Sequence, residues 1–242
     1  MTGRSGELVS LESRVVAVAG AGGSLGPTVV ARLASSGAVL ALGGRDKTPL
    51  DTLAEDLAIE ADTASVDLLD TGAARAWARS IIERQGRVDA LVHLVGGWRG
   101  GQSIEEAPIE DWDFLHGLLI RTVQNATQAF APHLLASGHG RFMIVSSGQA
   151  RAPTHTNAAY AAAKAGAETW TLALADRFRG SGATANVIVV GAIVTPAMRA
   201  ESPDKDFSTF TSAEQIAEAV TYLCSDAAAS MNGQRITLRG AA

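Results

Sequence analysis

The sequence predicts an α/β fold in which helices pack on both faces of a doubly wound parallel sheet. Short apolar runs such as Val15–Ala19 and Ala185–Val190 alternate with longer stretches of helical periodicity along the 242 residues. Alternating strands and helices imply a parallel sheet, and right-handed crossovers place helices on both of its faces. Because no repeat, low-complexity tract or linker interrupts the alternation, we expect one domain over residues 1–242, with residues 1–13 as an N-terminal extension.

The composition favours a soluble globular protein. Hydrophobic residues make up 47% and charged residues 19%, which is not a disordered signature. The formal net charge is −5 and no Lys/Arg cluster occurs, which argues against a nucleic-acid partner. No segment reaches about eighteen apolar residues, Met1–Arg14 lacks the apolar centre of a signal peptide, and Cys224 is the only cysteine. We expect a cytoplasmic protein with no membrane partner, and no metal site, since no His-x-x-x-His or cysteine pair is present.

The first strand leads into a loop that is typical of dinucleotide binding. Val15–Ala19 is followed by a glycine-rich turn and then by helical periodicity up to Ser36. Glycine permits a tight turn and close approach to phosphate, and the helix N-terminus offers free N–H groups to a pyrophosphate. The alternative is an ordinary turn. The predicted cofactor-binding residues of this loop are Gly20, Gly22, Gly23, Ser24, Leu25 and Gly26.

The end of the second strand bears on the choice of nucleotide. Val39–Leu42 is followed by Gly43, Gly44 and Arg45. An acidic residue here binds a ribose 2′-OH, whereas an arginine accommodates a 2′-phosphate. Arg45 therefore favours NADP over NAD. The alternative is that Arg45 is a solvated loop residue, partly neutralised by Asp46.

Helices and strands continue to alternate through the middle of the chain. The pattern predicts helices at 50–61, 71–85 (with Thr71 as N-cap) and 110–134, and strands at 64–68 and 89–95. We expect His93 to be a packed strand residue rather than a catalytic one. Trp98, just past the turn at Gly97, either walls a substrate cleft or packs on the surface.

The segment from Ser147 to Lys164 carries the candidate chemistry. Phe142–Val145 is predicted to be a buried strand, and Ser147 follows it at the edge where open α/β sheets bind ligands. Tyr160 and Lys164 are four residues apart in an Ala-rich run, so a helix places them on one face. An ammonium there favours the phenolate of a tyrosine, which ordinarily titrates at about 10. The alternative is an unremarkable pair on a helix surface.

These spacings resemble those of the short-chain dehydrogenase/reductase family, in which a Tyr-x-x-x-Lys helix follows a strand-end serine at this separation. The resemblance spans residues 15–238 and implies a Rossmann-like, seven-stranded parallel sheet in the order 3-2-1-4-5-6-7. It implies that Tyr160 is the general acid/base, that Lys164 holds the nicotinamide ribose and lowers the pKa of Tyr160, and that Ser147 orients the substrate carbonyl.

The same resemblance implies further cofactor contacts. Asp67 matches an aspartate that binds the adenine amino group, and Thr195 matches a threonine near the carboxamide and phosphate. Other matching positions are Leu68, Val95, Gly96, Gly191 and Ile193. Residues 197–211 are the expected substrate lid. Ser212 is then predicted to cap the last long helix, with Gln215 at a capping-box spacing, and 233–238 is the closing strand.

The chain departs from the family pattern at several positions. Ala19 and Ser24 replace a threonine and a glycine of the loop, His93-Leu94 replaces an Asn-Asn pair, and Val190 replaces a proline. The most consequential departure is Leu119, where most members carry a catalytic asparagine that fixes a water linking the lysine to solvent. Asn125 lies more than a turn and a half further on, so it points to another face and does not replace the asparagine.

Two functions from different classes are compatible with these residues. The first is an NADP-dependent oxidoreductase that transfers hydride between nicotinamide and a carbonyl or alcohol substrate, with the cofactor supplying the redox chemistry. The second is a cofactor-binding sensor or scaffold with little turnover, supported by the changes at Leu119, His93 and Val190. Retention of the other three catalytic groups favours the enzyme. Family members commonly pair the 110–134 and 157–179 helices, which implies a homodimer or homotetramer.

Overall fold

A computed structural model describes residues 9–240 of the chain. Its main sheet has seven parallel strands in the order β3-β2-β1-β4-β5-β6-β9, which confirms the predicted order with β9 as the seventh strand. The strands are β1 (Val15–Ala19), β2 (Val39–Gly44), β3 (Ala61–Ser65), β4 (Ala90–His93), β5 (Arg141–Ser147), β6 (Thr184–Val190), β7 (Ile193–Val194), β8 (Thr211–Ser212) and β9 (Arg235–Thr237).

Helices fill the crossovers between these strands. They are α1 (Gly26–Ser35), α2 (Thr48–Asp56), α3 (Thr71–Gln85), α4 (Ile109–Leu115), α5 (Thr122–Ser137), α6 (Ala158–Arg177), α7 (Pro196–Glu201) and α8 (Ala213–Cys224), with a π-helical segment at His116–Arg121. None of the helices in residues 9–240 combines the length and apolar character that a membrane span requires.

The central strands are buried on both faces, and successive side chains enter different cores. Ala17 and Leu91 join one core with residues of α3, α5 and α6. Val18 and Val92 join the other core with residues of α1 and α8. By this alternation His93 faces the layer of α5 and α6, the helices that border the candidate active site.

The N-terminal end of the described chain packs against the body of the protein. Leu11 is fully buried, and its N–H donates to the Ser36 carbonyl at 2.7 Å. Residues 1–8 of the expected N-terminal extension lie outside the described residues.

The predicted bounds of two neighbouring elements were wrong. The strand predicted at 64–68 lies at Ala61–Ser65, because β3 pairs with β2 from Leu40↔Ala61 to Gly44↔Ser65. The helix predicted to reach Ala61 ends at Asp56, and Ala58 then adopts a left-handed φ of 50°. The chain changes direction at this left-handed residue, and the residues from Ala61 onward pair with β2.

Two further helix predictions need correction. Asp70, rather than Thr71, caps α3, since its carboxylate accepts the N–H groups of Gly72 and Ala73. The single helix predicted at 110–134 is divided into α4, the π-helical segment and α5. The widened turns include Leu119, beside the candidate active site.

The region expected to form a substrate lid contains regular structure. The short helix α7 is followed by an irregular segment, and β7 and β8 form a separate two-stranded parallel sheet across its base. Ser212 caps α8 in the predicted capping box, since its Oγ accepts the Gln215 N–H while the Gln215 side chain accepts the Ser212 N–H.

Candidate active site

A cleft of about 600 Å³ runs along the carboxyl ends of the strands. It brings together residues that are far apart in sequence, from the glycine-rich loop to α6. Of the predicted site residues, the cleft is lined by Gly20, Gly22, Gly23, Ser24, Leu25, Arg45, Asp67, Leu68, Val95, Gly96, Tyr160, Lys164, Gly191 and Ile193. Trp98 also lines it while remaining 57% exposed, so this side chain walls the cleft.

Three predicted residues are not among those lining the cleft. Gly26 lies beneath the loop, Thr195 caps α7 by accepting the Met198 N–H at 3.3 Å, and Ser147 is buried at the end of β5. The Ser147 Oγ accepts the Gln149 N–H at 3.2 Å. The Ser147 hydroxyl can therefore donate its own proton to another group.

The geometry of the loop requires glycine at two positions. Gly20 has a φ of 79°, and a Cβ added there would lie 2.9 Å from the Val95 nitrogen. A Cβ on Gly26 would lie 1.7 Å from the Ala21 carbonyl oxygen, so the start of α1 can approach the loop only without a side chain. This is the close backbone packing that a pyrophosphate cradle at a helix N-terminus needs, and the residues present fit a dinucleotide.

The end of β2 leaves Arg45 free to meet an anion. The Arg45 carbonyl accepts Ser65 Oγ at 2.9 Å, which fixes the backbone of the turn. Asp46 accepts the Thr48 N–H at 3.0 Å at the start of α2. Within residues 9–240, the ion pairs include none between Arg45 and Asp46. Asp46 therefore forms no direct ion pair with Arg45 in this part of the chain.

Helix α6 presents Tyr160 and Lys164 to the cleft from adjacent turns. The Lys164 Nζ lies 5.8 Å from the centroid of the Tyr160 ring and donates to the Val145 carbonyl of β5 at 2.8 Å. Lys164 is only 8% exposed. The strand carbonyl thus holds the ammonium at the base of the cleft.

Burial governs the protonation of both side chains. It lowers the pKa of Lys164 to about 8, while the negative charge of Glu168 acts in the opposite direction. Burial raises the pKa of Tyr160, and the nearby Ser147 hydroxyl partly opposes that rise. Desolvation of the phenolate is the largest influence on the phenol, so the net direction of the Tyr160 pKa is upward. The expectation that Lys164 lowers this pKa stays a prediction.

Leu119 lies in an apolar cluster behind the Tyr160 face of α6. It is buried with Leu115 and Ala163, and Tyr160 packs against the same cluster. Asn125 points elsewhere, as expected. Its amide donates to the carbonyls of Leu68 at 2.9 Å and Leu69 at 3.1 Å, which braces the loop that follows β3.

His93 is buried at the end of β4. Its pKa is lowered to about 3, first by burial and then by the positive charge of Lys164. Within the described residues its Nε2 has no hydrogen-bond partner. His93 is therefore a neutral packed residue of the strand, close enough to Lys164 to be influenced by its charge.

Sequence reasoning missed a buried polar group next to the site. Glu168, one turn beyond Lys164 on α6, contacts Ser146 of β5 and Arg235 of β9. The only signal in the sequence was an acidic residue at i+4 from Lys164. Nothing local indicated that its partners would come from two separate strands.

A cleft at the carboxyl ends of a doubly wound sheet, beside a glycine-rich loop, is where such folds bind dinucleotides. Over residues 14–206 the chain matches the family model described as short chain dehydrogenase. The chain therefore belongs to the short-chain dehydrogenase/reductase family, whose named members act on alcohol and carbonyl groups.

Similar proteins cover nearly the whole chain. A 3-oxoacyl-acyl-carrier-protein reductase of Thermotoga maritima is 29% identical over 244 residues, covering 95% of this chain and 98% of that protein. Levodione reductase superimposes with a TM-score of 0.84 at 25% identity, covering 95% of this chain and 97% of the other. An NADPH-bound short chain oxidoreductase of Pseudomonas aeruginosa, described as having an atypical catalytic center, gives a TM-score of 0.87 at 23% identity, covering 95% and 96%. At 23% identity, the similarity to the Pseudomonas aeruginosa structure supports the fold only.

Proposed function

We propose that this protein is an NADPH-dependent reductase of a carbonyl substrate in which Tyr160 is the general acid. The observation that carries the proposal is the convergence of Tyr160, Lys164 and the glycine-rich loop on one cleft. Small-molecule carbonyl reduction, or the reverse oxidation of an alcohol, requires a nucleotide and a proton donor within reach of the same carbon.

Each catalytic group has a role that its contacts allow. When bound, the nicotinamide nucleotide supplies the hydride. The Ser147 Oγ accepts from Gln149 and lies beside the Tyr160 hydroxyl, so with substrate bound it donates its proton to the substrate oxygen and orients it. Tyr160, held protonated by burial, donates its proton to that oxygen. Lys164 uses one N–H on Val145, which leaves two donors for the nicotinamide ribose.

The assignment of Tyr160 is tested by removing its hydroxyl. Tyr160→Phe should lower kcat on the best substrate of a carbonyl panel by about two to four orders of magnitude, since general acid catalysis contributes about that much. NADPH oxidation followed at fixed pH is the measurement. Tyr222→Phe is the matched control, because Tyr222 is the only other tyrosine and lies on α8, outside the cleft lining. Equal activity of Tyr160→Phe and the wild type would contradict the assignment.

Cofactor choice rests on Gly44 and Arg45. A charge-assisted hydrogen bond from Arg45 to a 2′-phosphate contributes about 1.5 to 3 kcal/mol, so NADPH should bind more tightly than NADH by a factor of ten or more. A Cβ on Gly44 would meet only ordinary contacts, the nearest at 3.6 Å to Leu50. Gly44→Asp should therefore fold normally and reverse the preference. Dissociation constants from nicotinamide fluorescence decide this, and equal wild-type affinities would refute NADPH selectivity.

A second function, cofactor binding with little turnover, is favoured by the apolar cluster around Leu119. Leu119 in that cluster aligns with the catalytic asparagine that most family members carry. If NADPH binds but no member of a broad carbonyl panel is reduced, this second function is the better description.

A further inference from the structure

The carboxylate of Glu168 is buried beneath the candidate active site and bound by two side chains. Glu168 is only 5% exposed. Its Oε1 accepts Ser146 Oγ at 2.6 Å and Arg235 Nη2 at 3.0 Å, and its Oε2 accepts Arg235 Nε at 2.6 Å. The two-point contact with Arg235 is a charge-assisted, bidentate pair. It connects α6 to β5 and β9.

The same short stretch of β5 holds Glu168 and the catalytic groups. The Val145 carbonyl accepts Lys164 Nζ, the next residue, Ser146, donates to Glu168, and Ser147 follows. On α6, Glu168 lies one turn beyond Lys164 on the same face, where Cβ atoms are about 5 to 6 Å apart. Glu168 is therefore in contact with both elements that place the candidate catalytic side chains.

Glu168, four residues further along α6, is the negative charge that acts on the Lys164 ammonium. The other titratable groups around Lys164 in the described chain are Tyr160 on the same helix and His93 on β4, and both are neutral at pH 7. Glu168 acts to raise the pKa of Lys164 against the effect of burial. A buried carboxylate stays ionised only if it is paired, and Arg235 supplies that partner.

We propose that Glu168 is a positioning residue of the oxidoreductase site, whose carboxylate stabilises the ammonium of Lys164 and, through Ser146, fixes the end of β5 that carries Ser147. Arg235 holds the carboxylate of Glu168 in place through the bidentate pair. The inference rests on the proposed function for the role of Lys164, but the electrostatic influence of Glu168 on Lys164 can be tested without it. The competing explanation is a purely structural ion pair that ties β9 to α6.

Lysine titration by NMR separates these explanations in the cofactor-free protein. The chain has three lysines, Lys47, Lys164 and Lys205, so lysine labelled with ¹³C at Cε gives one signal for each. The Lys164 signal should titrate at about 8 in the wild type. In Glu168→Gln, which keeps the shape and an acceptor for Ser146, its pKa should fall by about 1 unit or more. The Lys47 and Lys205 signals are internal references that the substitution should leave unchanged.

A second variant covers the case in which Glu168→Gln does not fold because Arg235 is left unpaired. The double variant Glu168→Gln/Arg235→Gln removes both buried charges and keeps polar groups of similar size. The pKa of Lys164 should fall in this variant too, because Glu168 is the charge that acts on Lys164, whereas Arg235 of β9 is not among the influences on its pKa. If the pKa of Lys164 in either folded variant equals that in the wild type, the Glu168–Arg235 pair is only structural and the proposal is overturned. This holds even if the variant has a lower Tm.

The pH dependence of the reaction supplies the functional readout. A lysine that must be protonated gives a kcat/KM that falls as pH rises through its pKa, so the wild-type decline should begin near pH 8. In Glu168→Gln the decline should move to lower pH together with the NMR titration, and Glu168→Asp, which restores the charge, should move it back. If the NMR titration moves and the kcat/KM profile does not, Glu168 is not a positioning residue. Failure of the proposed function itself would appear separately, as full activity of Tyr160→Phe.

Discussion

In the wall behind Tyr160, Leu119 stands where most family members carry a hydrogen-bonding asparagine. Its neighbours Leu115 and Ala163 are apolar, so the cluster offers a buried water few partners, whereas such a water usually makes about three hydrogen bonds. In the proposed mechanism, the proton given up by Tyr160 is then replaced without a water chain at this position. The roles proposed for Ser147 in carbonyl orientation and for Tyr160 in proton donation do not depend on such a water.

Leu119→Asn tests that account directly. The variant should raise kcat of carbonyl reduction and leave the NADPH dissociation constant unchanged, because Leu119 is not among the residues that line the cleft. Burying an amide without partners would lower the free energy of unfolding by about 1 to 3 kcal/mol. Leu119→Met is the control, since it keeps an apolar side chain of similar volume and should leave kcat at the wild-type value. A kcat that falls in Leu119→Asn while the protein remains folded would show that the apolar wall is itself required.

His93 makes the stability of the protein sensitive to acid. Its pKa is about 3 in the folded chain against an ordinary value of 6.5. The unfolded chain therefore takes up a proton first as pH falls, and stability is lost progressively between pH 6.5 and pH 3. Between pH 7 and pH 5 the loss from this one residue should be about 2 kcal/mol.

Urea unfolding at pH 7 and pH 5 measures this contribution. His93→Asn cannot take up the proton, so its free energy of unfolding should fall by about 2 kcal/mol less than that of the wild type over this interval. His155→Asn, at an exposed position before α6, should behave as the wild type. Parallel pH dependence of wild type and His93→Asn would show that His93 does not supply the acid sensitivity.

At the scale of elements, the order of the sheet was predictable because local patterns specify it. Buried apolar runs alternate with helical stretches, and the Tyr-x-x-x-Lys spacing of α6 supplied the family resemblance. The register of β3 was not predictable, since its residues Ala61–Ser65 form a polar, weakly patterned strand that is defined by pairing with β2. The left-handed residue Ala58, which ends the preceding helix region, carries no glycine or asparagine signal.

Some polar groups of the candidate site were predictable from the sequence, and others were not. The glycine-rich loop and the Tyr160–Lys164 pair are encoded within a few residues, so sequence reasoning could locate them. The partners of Glu168 and Asn125 come from distant strands and loops, at sequence separations of 22 to 67 residues. Such contacts depend on the packing of α5 and α6 against the sheet, which no local pattern specifies.

At the scale of the whole molecule, the outer surface of α5 and α6 is one of the regions that expose a large apolar side chain. Trp170 of α6 is 36% exposed, and its Nε1 donates to Thr127 Oγ1 of α5 at 2.9 Å. The indole therefore lies across the two helices in a fixed orientation instead of entering either core. An apolar side chain held at the surface in this way favours contact with another protein surface.

We expect this face to pair with a second copy of the chain. Light scattering at micromolar concentration should give a particle mass of at least twice 24.9 kDa. Trp170→Glu should reduce that mass, because burying an unpaired carboxylate in an interface costs several kcal/mol. Val39→Glu, at another exposed apolar residue at the start of β2, is the matched control and should assemble as the wild type does. A monomeric wild type would refute the pairing, and an unchanged mass for Trp170→Glu would place the interface on a different face.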